Sequence, residues 1–553
     1  TINFNDKVII FEKLVGGSND ANIYAQTGLN AEYLGGLLGD PDPVPAGSPE
    51  GTIGNKLILN FGGLKMQPMR WKIKRNADYT PQLDSDGNEQ YELDENGNRI
   101  LEWNTISAST GKDVAPVTEN KAFDAEKDLD RRLKGGNIYG GCYNTGHING
   151  NVVINLNAST VDRKGEYSIF DEIEVNEGEA ILYGNDSYKI LRRRSGVILD
   201  EQGMDVLGKA LNVFGGGYGA ESEIWGSTTV NLNAGYTFQI FGGGEKGAIG
   251  HGTYNTTAGN LEYTTYDPRY SCTVNVKGAH EGVYRGHAND NDNMAEAEFI
   301  YGGSFEAPIA GNTIINLGNG RVFNTFAGSC NADILGHTET YIGRSGVDAD
   351  GKDVLGFPWI RDHVYGGNDL GGEIKNKANF IGRVSEDIRS KLYNPDNKET
   401  PDVTNASAYM EYIQGRVAYI FGGCYGDYDY KDRYFAKYTN DDGSDKSGFT
   451  KPRLDNAFVN FKSNLHTRNA AERIFGAGQG AKKGIEVDIM QNRSYVLVDI
   501  PQTLAKFQTL EVFGAGANCG LGMGITPSTV EGQPILASAV IDLIRGQIDA
   551  TYG

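Results

Sequence analysis

The sequence predicts an all-β protein, namely a right-handed parallel β-helix (a β-solenoid) of about ten coils with long hairpin and loop insertions. Three observations support this prediction. An aromatic-Gly-Gly phrase recurs along the 553-residue chain, a second phrase of β-branched residues ending in Asn follows most copies, and adjacent copies lie about 25 residues apart where no insertion intervenes.

The first phrase is an apolar residue, then Phe or Tyr, then Gly-Gly or Gly-Ala, and then a small residue. We expect each aromatic side chain to face the interior and each glycine pair to turn a corner, since glycine reaches positive φ without steric cost. The best-defined copies are Phe214-Gly215-Gly216, Phe241-Gly242-Gly243, Tyr301-Gly302-Gly303 and Phe421-Gly422-Gly423, with others at Tyr139, Tyr365, Phe475 and Phe513 and weaker ones at Val15 and Phe326.

The second phrase alternates apolar and polar residues over four to six positions, which is the pattern of a half-buried strand. We assign one strand to each copy. The copies lie at 1–4, 152–157, 229–233, 273–276, 313–317, 340–343, 379–382, 458–461 and 485–489.

The spacing of the two phrases indicates stacking. Phe214 and Phe241 are 27 residues apart, and Tyr301 and Phe326 are 25 apart. A unit this short cannot bury an apolar face alone, so it must pack on its neighbours. We therefore expect residues 1–553 to form one continuous β-solenoid, and we expect this segment to belong to a longer chain because neither end carries a polar cap.

The remaining length lies in insertions, which in repeat proteins often form the working surface. Two of them share the pattern Arg-Ser-Gly-Val, a polar turn, and Asp-Val-Leu-Gly, at 194–208 and 344–356, which indicates one hairpin used twice. Another hairpin is predicted at 80–103, where Asp86-Gly87 and Asn96-Gly97 supply turns. The predicted insertions are 62–137, 158–212, 245–271, 277–299, 344–362, 383–416, 425–456 and 490–510.

Composition excludes several classes of partner. The net charge of −21 disfavours binding to nucleic acid and docking on an anionic membrane surface. No apolar run approaches the roughly 18 residues that a membrane span needs. The chain has only five cysteines, and an odd number at this low density argues against a disulfide framework. We therefore expect them to be small buried side chains; they are Cys142, Cys272, Cys330, Cys424 and Cys519.

The sequence offers no catalytic or metal-binding constellation. Gly250-His251-Gly252 matches a fragment of polygalacturonase-type active sites, but the accompanying carboxylate motifs are absent and His251 lies in a predicted insertion. Acidic stretches such as Asp84-Ser85-Asp86 lack EF-hand spacing. We therefore assign no catalytic residue, metal ligand or cofactor, and a Ca²⁺ ion at one of these stretches stays unassigned.

A tyrosine-rich segment is the best candidate for a binding surface, because Tyr offers a large contact area at low entropic cost. The alternative is that the same segment packs on its own scaffold. The residues are Tyr425, Tyr428, Tyr430, Tyr434 and Tyr438.

Both phrases resemble the glycine-rich repeats of large β-helix surface proteins of Bacteroidetes-type gut and oral bacteria, over most of the chain from Leu14 to Gly553. The resemblance implies an extracellular or cell-surface, adhesin-like and non-enzymatic scaffold that binds glycan or a surface protein and associates with other surface subunits or further domains. One alternative is a polysaccharide-degrading enzyme or a phage tailspike of similar fold. A second alternative is a subunit of an end-to-end assembly.

Overall fold

The computed structural model of the chain is nearly all-β, with 52% of the residues in strands and 3% in helices. The residues that it describes are 2–4, 9–10, 13–22, 56–61, 65–66, 69–74, 76, 82–85, 87–95, 97, 101–103, 137–157, 170–175, 188–193, 210–278, 295–392, 396, 405–426, 452–462, 470–480, 490–500, 511–517, 521, 538–546, 548 and 550–552.

Two parallel sheets of 12 strands each dominate the structure. The first sheet contains, in spatial order, Ile2–Phe4, Lys56–Phe61, Asn151–Leu156, Thr228–Leu232, Cys272–Val276, Thr313–Leu317, Thr338–Ile342, Ala408–Tyr412, Arg453–Lys462, Met490–Asp499 and Ser538–Arg545, with Glu373–Ile374 paired to Arg453–Lys462. The second sheet contains Lys13–Val15, Asn137–Tyr139, Ala210–Phe214, Gly235–Phe241, Ala295–Tyr301, Arg321–Phe326, Trp359–Ile360, His363–Tyr365, Arg416–Phe421, Ala470–Phe475, Glu511–Phe513 and Ala550–Tyr552.

The second phrase supplies most strands of the first sheet, as predicted, and its copies pair in register. Ile154 lies opposite Val230, which lies opposite Val274 in the next strand. Alternate residues of these strands face a single hydrophobic core, which they share with alternate residues of the second sheet such as Val213 and Ile240. The period-2 pattern of the sequence thus places one apolar row per strand between the two sheets.

The aromatic residues of the first phrase face the opposite way from the prediction. Ile138 and Tyr139 are consecutive in one strand, so their side chains point to opposite faces of the second sheet. Ile138 joins the core between the sheets, whereas Tyr139 joins a separate outer cluster that Phe305 and Leu370 help to cover. The expectation of an inward aromatic was therefore wrong.

These outer aromatic side chains form one ladder of ten stacked rings. Neighbouring ring centroids are 4.5–5.1 Å apart, and each such stacked pair contributes about 0.5–1.5 kcal/mol beyond its buried area. The rings belong to Tyr139, Phe214, Phe241, Tyr301, Phe326, Tyr365, Phe421, Phe475, Phe513 and Tyr552.

The glycine pairs are needed for a reason other than positive φ. None of the corner glycines of the four best-defined copies has a positive φ. A Cβ on Gly215 would instead lie under 3.0 Å from the carbonyl oxygen of Gly242, and one on Gly242 would meet the carbonyl oxygen of Gly302 in the same way. The glycines thus allow the backbones of neighbouring repeats to approach each other, while the N–H of Gly215 donates to the carbonyl oxygen of Phe241 at 2.9 Å.

A threonine at the start of strands of the first sheet links the two sheets. The Thr228 hydroxyl donates to the carbonyl oxygen of Gly242 at 2.6 Å. The Thr313 hydroxyl makes the same bond to Ala327, also at 2.6 Å, which closes a separation of 14 residues in both cases. Burial of these hydroxyls is tolerated because each has a hydrogen-bond partner.

One asparagine in each of six neighbouring strands of the first sheet belongs to an amide ladder on the outward face of that sheet. Each Nδ2 donates to the Oδ1 of the preceding asparagine at 2.7–2.8 Å, so the chain of bonds crosses six strands and ends where Arg344 Nε donates to Asn316 at 2.8 Å. The members are Asn3, Asn60, Asn155, Asn231, Asn275 and Asn316.

Smaller elements decorate the two sheets. The hairpin predicted from Arg-Ser-Gly-Val is confirmed at 344–355, whereas its second copy at 194–208 lies outside the described residues. The turns at Gly87 and Gly97 have positive φ, as a hairpin turn requires. The antiparallel pairs are Met69–Trp71 with Leu101–Trp103, Phe170–Val175 with Tyr188–Arg193, Thr253–Asn255 with Asn260–Glu262, and Arg344–Val347 with Asp353–Leu355. A two-stranded parallel sheet pairs Ile9–Ile10 with Lys65–Met66, and a three-stranded parallel sheet contains Thr145–Ile148, Glu221–Ile224 and Ala248–Ile249. The described helices are Pro268–Tyr270 (3₁₀) and Glu386–Leu392 (α).

The strand predicted at 379–382 was wrong. Asn379 and Gly382 have φ of 51° and 79°, which a strand does not allow, and the corresponding strand of the first sheet is Ala408–Tyr412 inside the predicted insertion 383–416. The predicted strand at 485–489 lies outside the described residues. Met490–Asp499 is a strand of the first sheet within the predicted insertion 490–510, and the strands beginning at Ala210, Ala295, Trp359 and Arg453 likewise start inside predicted insertions.

The corner glycines give a stability prediction. Gly242→Ala forces a Cβ against backbone of the next repeat, so we expect the free energy of unfolding to fall by about 3 kcal/mol, the upper end for overpacking. Ala327 occupies the same place in the weaker copy, so Ala327→Gly is the matched control and costs only about 0.5–1 kcal/mol. Unfolding in guanidinium chloride measures the stability of both variants. Equal losses of stability would show that the close approach of the backbones does not exclude a side chain at this position.

Candidate functional site

Only one of the predicted binding tyrosines is among the described residues. Tyr425 is 8% exposed, and its ring lies 4.9 Å from that of Tyr365 and 6.0 Å from that of Phe326, so it covers the aromatic ladder. This packing corresponds to the alternative stated for the segment. Tyr428, Tyr430, Tyr434 and Tyr438 lie outside the described residues, and the binding role predicted for them stays a prediction.

A row of polar side chains runs beside part of the aromatic ladder, two residues before Phe326, Tyr365, Phe421, Phe475 and Phe513. Register pairs place His363 beside Tyr419, Tyr419 beside Arg473, and Arg473 beside Glu511. Strand alternation puts this row on the outer face, like the ladder. We call the partly exposed group around it the polar cluster: Arg361, Asp362, His363, Tyr419, Glu472 and Arg473.

Stacked planar groups form the centre of the polar cluster. The His363 and Tyr419 rings are stacked with centroids 5.0 Å apart, and the Arg473 guanidinium carbon lies 5.5 Å from the Tyr419 centroid. His363 is held from both sides, since its Nδ1 lies 2.9 Å from Tyr365 Oη and its Nε2 lies 3.2 Å from Asp362 Oδ1. Contacts to the buried ladder therefore fix the orientation of the imidazole.

Burial perturbs two acidic groups of the cluster. It raises the pKa of Tyr419, and the negative charge of Glu472 raises it further. Burial also raises the pKa of Glu472, although a hydrogen bond with Tyr419 and the charges of Arg473 and Arg361 oppose the shift. The cluster thus holds a carboxyl group with a raised pKa next to a second carboxyl group, Asp362.

Sequence reasoning missed this cluster because its members are separated by up to 112 residues, from Arg361 to Arg473, and lie in three different strand regions. The signal that locates them is positional. Counting two residues back from the five ladder aromatics between Phe326 and Phe513 gives Asn324, His363, Tyr419, Arg473 and Glu511, and the ladder aligns these positions in space.

A second ionic network lies on the first sheet, and its charged groups pair with one another. Arg383 pairs with Asp353 at 2.8 Å and approaches Glu411 at 3.8 Å, and the Arg344 guanidinium stacks on the Tyr341 ring at 3.2 Å. Although burial opposes the shift, Arg383 and Arg344 lower the pKa of Asp353. These contacts fasten the hairpin at 344–355 and the segment before the α-helix to the sheet, so we assign them a structural role.

His251, to which no catalytic role is assigned, belongs to a stack of rings. The His147 and Trp225 rings are 3.5 Å apart, and those of Trp225 and His251 are 4.2 Å apart. Burial and the neighbouring His251 lower the pKa of His147 to about 4. Glu223 accepts hydrogen bonds from Trp225 Nε1 at 3.0 Å and from Tyr263 Oη at 2.8 Å. These bonds fasten the hairpin at 253–262.

The described residues contain no group of three or more His, Cys, Asp or Glu side chains that could hold a metal ion. The side chains of Cys142, Cys272, Cys330 and Cys424 are buried, as predicted, and Cys519 is outside the described residues. Within the described part of the chain, no helix has the length and apolar character to cross a bilayer.

No protein-family model, no curated protein and no solved structure matches the chain.

The raised pKa of Glu472 predicts a pH dependence of stability. The unfolded chain loses this proton near pH 4.5 and the folded chain at higher pH, so the group's contribution to the free energy of unfolding falls as pH rises from 4.5 through the folded-state pKa. Glu472→Gln removes this titration. We expect its stability relative to wild type to be more favourable at pH 7 than at pH 4, measured by urea unfolding at both values; a gap that stays constant would contradict the assignment.

Proposed function

We propose that the chain is a non-enzymatic right-handed β-helix scaffold that works outside the cell, at a bacterial surface, and binds carbohydrate through the polar cluster. The observation that carries the binding role is the polar cluster itself, where stacked rings and hydrogen-bonding groups are presented side by side on a rigid outer face.

The path of the chain supports the β-helix. Along the chain, the described strands of the first and second sheets alternate, with two exceptions: Glu373–Ile374 is an additional strand of the first sheet, and Trp359–Ile360 and His363–Tyr365 are consecutive strands of the second. Each repeat therefore passes once through each parallel sheet, as in a solenoid. Crossover connections between parallel strands are almost always right-handed, which supports the proposed hand.

The chemistry of the polar cluster suits a sugar. The stacked rings present their edges on the outer face, and the Arg, Asp and His side chains beside them offer hydrogen-bonding groups to sugar hydroxyls. His363 and Tyr419 are held by the ladder before any ligand arrives, so binding costs little ordering entropy. The resemblance to adhesin-like surface proteins supports the same class of ligand and the location outside the cell.

A polysaccharide-cleaving enzyme is the second candidate, favoured by one observation. Glu472 has a raised pKa and lies near Asp362, and a protonated carboxyl group together with a second carboxyl group is the pair that glycoside hydrolysis requires. In that reaction Glu472 would protonate the leaving oxygen while Asp362 accepted a proton from the attacking water.

A glycan array combined with a product assay tests the proposal. We expect binding without new reducing ends, and at least about a tenfold loss of affinity, equivalent to about 1.4 kcal/mol, for Tyr419→Ala. Tyr254→Ala is the matched control, because Tyr254 is 61% exposed on a separate hairpin. Thermal melting verifies that both variants fold.

Product release that stops in Glu472→Gln would establish the enzyme instead. The absence of any binding by the folded wild-type chain would contradict the carbohydrate proposal.

A further inference from the structure

Arg361 differs from every other member of the polar cluster in its bonding. Arg473 donates from Nε to Glu511 at 2.5 Å, and His363 contacts Asp362 and Tyr365. The Arg361 side chain, by contrast, makes no hydrogen bond or ion pair with any residue that the structure describes, and its Nε is buried. Its backbone is fixed, since its N–H donates to the carbonyl oxygen of Val322 at 2.7 Å.

A half-buried guanidinium without an acceptor is an unusual arrangement, because buried donors are normally satisfied. Neither nearby carboxyl group forms an ion pair with it: Asp362 contacts His363, and Glu472, although it feels the charge of Arg361, is hydrogen-bonded to Tyr419. The two Nη groups beyond the buried Nε therefore keep their donors in a planar fork, the geometry that matches a carboxylate.

We propose that Arg361 binds a carboxylate group of the carbohydrate ligand, so that the polar cluster selects glycans that carry an acidic sugar. This inference rests on the proposed function. In the bound state the guanidinium makes two parallel N–H···O bonds to the carboxylate, while the edges of the stacked His363 and Tyr419 rings lie against the sugar.

The charge of the whole protein narrows the ligand further. A net charge of −21 repels a polyanion, but salt at physiological ionic strength screens this repulsion beyond about 8 Å. An isolated uronate in an otherwise neutral glycan satisfies Arg361 without bringing a line of negative charges to an acidic surface. We therefore assign the site to sparsely charged glycans rather than to polyuronates.

The test uses one glycan array printed in two forms, native and with every uronate carboxyl reduced to an alcohol. Wild-type protein is expected to bind native glycans with sparse uronates about 10- to 100-fold more tightly than their reduced partners. Arg361→Gln is expected to abolish that preference while still binding the reduced forms, and Arg361→Lys, which keeps the charge without the fork, is expected to be intermediate. Arg453→Gln, which alters a partly exposed arginine that pairs with Glu373 on the other sheet, is the control.

Each other outcome is decisive. Equal binding of native and reduced glycans by wild type would overturn the carboxylate assignment and leave the carbohydrate proposal standing. Equal weakening of both forms by Arg361→Gln would also overturn it. Binding of neither form would overturn the carbohydrate proposal itself. The comparison of native and reduced glycans uses wild-type protein, so it stands even if a variant fails to fold.

Discussion

The close approach of backbone to backbone at the glycine corners is the constraint on which the rest of the structure depends. Gly215, Gly242 and Gly302 let successive repeats stack with no Cβ between them, and the amide of each donates to the repeat beside it. With that spacing fixed, side chains at equal positions in neighbouring repeats are one strand separation apart, about 4.8 Å. Every ladder in the molecule follows from this repeat distance.

Three kinds of ladder use the repeat distance differently. Apolar rows fill the core, asparagine amides bond to one another across the first sheet, and aromatic rings stack outside the second. The polar cluster is built by the same rule, because His363 and Tyr419 occupy equivalent positions in neighbouring repeats. The scaffold therefore determines the site: the ladder that stabilises the fold also orients the groups that we propose to meet the ligand.

The parallel sheets were predictable because their strands repeat one sequence pattern, whereas features that occur only once were not predictable. The copies at 229–233 and 313–317 became strands because pattern and position agreed. At 379–382 the same pattern failed, since Asn376 accepts from the N–H of Phe380 and holds a turn that outweighs the strand preference. The sequence did not predict which face of the second sheet the aromatic side chains occupy. Both faces of that sheet are buried, because a second layer of side chains covers its outer face. The polar cluster was missed because only register brings Arg361 near Glu472.

Cysteine cross-linking tests the central claim, in-register stacking of repeats, most directly. Thr229 and Thr273 are register partners on the outward face of the first sheet, at a separation that suits a disulfide, whereas Ile314 lies one strand further away. In a chain with Cys519→Ser, the account predicts that Thr229→Cys with Thr273→Cys cross-links under mild oxidation and that Thr229→Cys with Ile314→Cys does not. Cross-linking of the second pair but not the first would contradict the account.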